Sequence, residues 1–184
     1  MADPAAWAVT AFPATSFMLG TYQTGLLNAA GTPIVLPAAF FFGGLVQIIV
    51  AILELSRGNL FGEGRVRYLR PVLGHVRRVR DPVRASVPAA QLSSALSLFL
   101  AVFAVATFYL AIASLRTDLV LTVVIWLIFV GLSIGFGASS GNVVKAGGWV
   151  VLVFAVLAWY HAAGDVIAAT FGRKILPFGP PPVK

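Results

Sequence analysis

Gly64-Arg-Val-Arg-Tyr-Leu-Arg-Pro-Val-Leu-Gly-His-Val-Arg-Arg-Val-Arg-Asp-Pro-Val-Arg84 is the stretch whose placement decides how often this chain crosses a membrane. It carries seven arginines, Arg65, Arg67, Arg70, Arg77, Arg78, Arg80 and Arg84, together with Pro71 and Pro82. On insertion scales an arginine costs about 2.5–3.5 kcal/mol at the centre of a membrane helix. Seven of them exclude ordinary spanning. Everything on either side, however, is apolar enough to lie in lipid.

The chain has 184 residues, of which 59% are hydrophobic and 10% charged, with a mean hydropathy of +0.94. A soluble domain carries about 25% charged residues, so lipid is the expected solvent. The net charge of +7 reflects the one basic stretch, which holds seven of the thirteen Lys and Arg residues. Outside it the charges nearly balance, and no nucleic-acid partner is expected. The absence of cysteine excludes disulfides and thiol chemistry. The N-terminus lacks a basic n-region and a clear cleavage site, so no removable signal peptide is expected.

A membrane helix needs about 20 mostly apolar residues. Five segments meet this requirement: Val9 to Leu27, Ile34 to Glu54, Leu92 to Leu115, Leu119 to Phe136, and Trp149 to Thr170. The expected fold is an all-α, polytopic membrane helix bundle forming one domain over residues 1–184. Small residues inside the spans, such as Gly43, Gly44, Gly131, Gly135, Ala162, Ala163 and Gly164, let helix backbones approach closely. Polar groups are few. Thr15, Ser16, Thr21, Gln23 and Thr24 lie on the first span, and Gln47 and Glu54 on the second. His161 and Asp165 are four apart on the last span, so they share a helix face and read as a structural pair. Intramembrane ionisable groups usually face a bundle interior or water. For Glu54 and Asp165, a place at headgroup level and a role in a pathway are both open.

Two histidines and scattered carboxylates show no metal-ligand spacing. No nucleophile elbow or phosphate loop is present. Neither a cofactor nor enzyme chemistry is expected.

Several motifs carry a family resemblance. Gly43-Gly44-Leu45-Val46-Gln47 leads to Glu54, followed by Arg57-Gly58-Asn59-Leu60-Phe61-Gly62. Near the end stand Gly148-Trp149, Gly164-Asp165, Phe171-Gly172-Arg173 and Leu176-Pro177. Together they resemble the acetate uptake transporters, also called succinate–acetate permeases. The start, Asp3-Pro4-Ala5-Ala6-Trp7-Ala8-Val9, resembles that family's Asn-Pro-Ala-Pro-Leu-Gly-Leu signature but lacks its second proline and its glycine.

The resemblance implies six helices, both termini cytoplasmic, and a homohexamer with one pore per subunit in the cytoplasmic membrane. It implies passage of acetate and similar small monocarboxylates, with succinate a further substrate, by proton symport or channel-like flow. It also implies an apolar ring at the narrow point. Phe12 matches the ring's phenylalanine, Ile125 its aliphatic member, and Ala158 a small residue that tunes substrate size. Thr15 and Ser16 match hydroxyls near the ring, and Gln47 and Glu54 fall in the motif of the second span. The ring's tyrosine belongs to a third helix, which the Arg-rich segment 63–87 replaces. A hydrophobic constriction of this kind gates by dewetting, and the hydrogen-bonding groups around it set selectivity.

The six-helix topology puts Arg57, Arg116, Arg173 and Lys174 on the cytoplasmic side and only Lys145 outside, as the positive-inside rule favours. It then requires a crossing between Gly62 and Pro88, where the arginines stand. A compensated frameshift resolves the conflict. Tyr68 to Arg80 can be back-translated so that reading one base later gives Thr-Tyr-Gly-Pro-Phe-Trp-Ala-Thr-Tyr-Ala-Val-Tyr. That product is uncharged and aromatic, and it holds a Tyr-Gly-x-Phe-Trp pattern the family has at this place. The alternative is a basic interfacial helix on anionic headgroups, at about 1 kcal/mol per Lys or Arg. That would leave five spans and a non-transporting, degenerate protein. Ammonium export, known from the family's eukaryotic relatives, is a third possibility.

Overall fold

The computed structural model describes residues 4–58, 88–136 and 141–183. The Arg-rich segment 63–87, with the choice between a crossing and a surface helix, lies outside them. Among the described residues all regular secondary structure is helical, as expected. Helix α1 is Ala5–Gln23, α2 is Ala29–Ser56, α3 is Ala89–Ser114, α4 is Leu119–Phe136 and α5 is Gly141–Phe171. Among the described residues, three stretches are long and apolar enough to cross a membrane: Ala29–Ser56, Ser97–Ser114 and Gly141–Phe171. Helix α4 is apolar over the shorter Leu119–Ile134. Helix α5 starts well before Trp149, because Gly141 to Gly148 continues the helix despite Lys145 and its glycines.

The packing runs opposite to that of a soluble domain. The buried hydrophobic positions are mostly alanines, among them Ala11, Ala104, Ala111, Ala155, Ala158 and Ala162. Large apolar side chains face outward, with Leu98 67% and Val105 69% exposed. Lipid offers no hydrophobic drive between helices, so small residues that allow close backbone approach make the contacts. The tightest crossing joins α1 and α5. A Cβ on Gly148 would stand 2.8 Å from the Thr24 backbone nitrogen, and one on Gly20 would stand 3.1 Å from the Gly148 carbonyl oxygen.

Helix α2 is irregular. It opens as a 3₁₀ turn over Ala29–Ile34, where the Asn28 side chain accepts the Ala30 N–H at 3.0 Å. It widens to a π-helix over Ala39–Leu45 and closes as α-helix over Val46–Ser56. Such π segments are often found at functional sites. Here the segment lies against α1, where the Thr15 hydroxyl donates to the Ala38 carbonyl at 3.4 Å.

The helices pack in the order α2, α1, α5, α4, α3, and each is antiparallel to its neighbour. Arg57, Arg116, Arg173 and Lys174 therefore share one end of the bundle, and Lys145 lies at the other. Helix α2 finishes at the basic end and α3 begins at the opposite one.

The basic end is closed by the residues after α5. The Tyr160 hydroxyl donates to the Pro177 carbonyl at 2.9 Å. The Val120 N–H donates to the Phe178 carbonyl and the Val183 N–H to the Leu115 carbonyl, both at 3.1 Å. The Phe178 ring fills the space left by Gly164, so any side chain at 164 would run into it. It also stacks on His161, with ring centroids 4.4 Å apart.

Candidate substrate pathway

Among the described residues one cavity lies between α1, α3, α4 and α5, and another between α1, α3 and α4. The first, of about 430 Å³, is reached by Gln23, Ser97 and Gly147 near the Lys145 end. The second, of about 370 Å³, is lined by Phe103, Thr107, Leu110 and Ile125 towards the basic end. Phe12, Ile128 and Leu132 line both. Ile128 and Leu132 are one turn apart on α4 and so present one face. These three side chains are the apolar border that the two spaces share.

Phe12 thus stands where a constriction would be. Its ring lies nearly parallel to that of Phe154 on α5, at a centroid distance of 5.9 Å and an interplanar angle of 13°. Ile125 lines the second cavity, one turn from Ile128, and shares that cavity with Phe12. Ser16 lines the first cavity, and its hydroxyl donates back to the Phe12 carbonyl at 3.1 Å. The remaining site residues read from the sequence do not line either cavity. Thr15 bonds α2 as described. The Gln47 amide donates to the Ala8 carbonyl at 2.8 Å, which ties α2 to the start of α1. Glu54 is 2% exposed and pairs with Arg57 at 3.1 Å. Ala158 is 1% exposed and belongs to the α5 core.

Sequence reasoning missed Ile128, Leu132, Phe154, Gln23 as a lining residue, and the hydroxyls of Ser97 and Thr107. In a run such as Val-Val-Ile-Trp-Leu-Ile-Phe-Val every residue is apolar, so the pattern gives no inward face. The Thr107 hydroxyl donates to the Phe103 carbonyl at 2.8 Å. Gln23 and Ser97 make no side-chain hydrogen bond among the described residues, so the first cavity holds donors available to an anion.

One polar cluster lies apart from both cavities. His161 Nε2 stands 2.9 Å from Asp118 Oδ2, and its Nδ1 stands 3.2 Å from Asp165 Oδ2. The Nδ1 contact is close, but it is off the line of a hydrogen bond. Asp118 also caps α4, accepting the Leu121 N–H at 2.9 Å. The i,i+4 spacing gave the Asp165 partner. Asp118, far away in sequence, makes the better aligned contact. No cluster able to hold a metal ion occurs among the described residues.

With this geometry in view, the chain can be set beside known proteins. The succinate-acetate/proton symporter SatP of Escherichia coli (strain K12) is 29% identical over 183 residues, covering 97% of this chain and 96% of that protein. Acetate permease A of Emericella nidulans is 27% identical over 198 residues, covering 96% of this chain and 65% of that protein. Among solved structures, that of the bacterial acetate channel SatP matches with a TM-score of 0.82 at 27% identity, covering 97% of this chain and 99% of that one. The profile of the GPR1/FUN34/yaaH family matches residues 1–66 and 83–177, skipping the heart of the Arg-rich segment. The resemblance read from the motifs is therefore borne out: this chain is a helical membrane protein that belongs to the GPR1/FUN34/yaaH family.

Proposed function

We propose that this chain carries acetate and similar small monocarboxylates across the cytoplasmic membrane. The observation that carries the reading is the apolar border of Phe12, Ile128 and Leu132 shared by two interhelical cavities. The names of the relatives supply the substrate class. An ionised carboxylate pays heavily to enter an apolar neck without hydrogen bonds. Donors such as Gln23 and Ser97 lower that cost at the mouth. An apolar neck between two wider spaces suits a small acid and excludes larger or more strongly hydrated ions. The shared basic end of Arg57, Arg116, Arg173 and Lys174 assigns that end to the cytoplasm. The outward apolar faces of the helices suit lipid and a homohexameric assembly.

The test is uptake of labelled acetate by vesicles containing the purified protein, beside vesicles with labelled methylammonium. Saturable acetate flux that unlabelled propionate competes for supports the reading. Methylammonium flux without acetate flux favours ammonium export, and no flux of either favours a non-transporting relative.

The same reading bears on residues 63–87. Helix α2 ends and α3 begins at opposite ends of the bundle, and the family profile breaks off after residue 66 and resumes at residue 83. We propose that the gene carries a compensated frameshift over Tyr68 to Arg80, in place of a third membrane helix. Sequencing through this region should return codons that give Thr-Tyr-Gly-Pro-Phe-Trp one base later. Codons that give anything else there refute it.

A further inference from the structure

Phe154 is 4% exposed, on a face of α5 where Ala155 and Ala158 are 0% and 1% exposed. A side chain buried to that degree sits in one rotamer well. On its free side it faces the first cavity and lies flat against Phe12. Phe12 is only half-buried, and it is the α1 residue that borders both cavities. A side chain in that place would rotate into one cavity or the other unless something held it. The parallel stack supplies that restraint, since offset aromatic pairs have a preferred geometry.

We propose that Phe154 is a positioning residue that sets the bore of the neck by holding the Phe12 ring, and thereby discriminates acetate from longer monocarboxylates. The inference rests on the transport reading above and adds a specificity determinant to it. A pocket wall that rejects one extra methylene discriminates by roughly 10-fold or more. Loss of the backing ring should remove discrimination of that size.

The experiment compares vesicle uptake of labelled acetate and labelled butyrate by the full chain and its variants. Phe154→Leu is expected to raise the butyrate-to-acetate ratio about 10-fold. Phe154→Tyr keeps the ring and should keep the ratio. Phe154→Met, close in volume to the native residue, serves if the leucine variant does not fold, and should behave like it. Because Phe154 acts through Phe12, Phe12→Ala with Phe154→Leu should give no higher ratio than Phe12→Ala alone. An unchanged ratio in Phe154→Leu and Phe154→Met, a uniform loss of all flux, or effects that multiply in the double variant would overturn the inference. Wild-type protein that moves no monocarboxylate overturns both it and the function. Wild-type flux with unaltered selectivity in the variants overturns the inference alone.

Discussion

Ile128→Asp is expected to stop acetate flux almost completely, while Ile128→Asn leaves it measurable. Ile128 borders both cavities beside Phe12, so an acetate ion in the neck must pass close to its side chain. At about 4 Å and an effective dielectric near 20, two like charges repel by about 4 kcal/mol. That corresponds to roughly a thousandfold in rate. Asparagine matches aspartate in size and brings water into the neck without the charge. The difference between the two variants therefore isolates charge from shape. Initial rates of labelled acetate uptake into vesicles give the ratio directly. Equal rates for the two variants would mean that no anion passes position 128.

The second large effect concerns the fold. Gly148→Ala is expected to destabilise the protein by about 2–3 kcal/mol, whereas Gly147→Ala stays within about 0.5 kcal/mol of wild type. The two glycines are adjacent, but their surroundings differ. A methyl at 148 meets the Thr24 backbone nitrogen at 2.8 Å and Gln23 Cβ at 2.9 Å, so the backbones of α1 and α5 must part. A methyl at 147 meets Ile134 Cγ2 at 3.6 Å, an ordinary contact. With total stabilities of about 5–15 kcal/mol, the first loss is large. Thermal unfolding in detergent measures it. A Gly148→Ala midpoint equal to that of Gly147→Ala would show that the α1–α5 crossing does not hold the bundle.

The helices were legible because apolar runs of membrane length leave little choice of structure. The ends were less so. Helix α5 begins at Gly141 although Lys145 and two glycines interrupt its apolar pattern, because a lysine near a span's end can reach out of the lipid. The closure by Phe178 could not be read, since it depends on Gly164 leaving space for a ring fourteen positions away. The contact of His161 with Asp118 was hidden for the same reason. Spacing rules find partners on one helix but not across two. Phe12 and Ser16 could be placed by resemblance, and the structure puts both on a cavity wall. Gln47 drew notice as a polar group in a span, yet its amide is engaged by the Ala8 carbonyl. Ile128 and Phe154 carry no polar mark, and only the packing shows which way they face.

The central claim is that the two cavities and the neck between them form the route of the acid. The chain contains no cysteine, so single thiols can be placed without background. Ser97→Cys in the first cavity and Thr107→Cys in the second exchange a hydroxyl for a thiol of similar size. Val105→Cys, on the 69% exposed outer face of α3, serves as the control. A charged, membrane-impermeant thiol reagent, applied from each side in turn, should block acetate flux in the two cavity variants and spare the control. Full labelling of Ser97→Cys and Thr107→Cys with undiminished acetate flux would contradict the account.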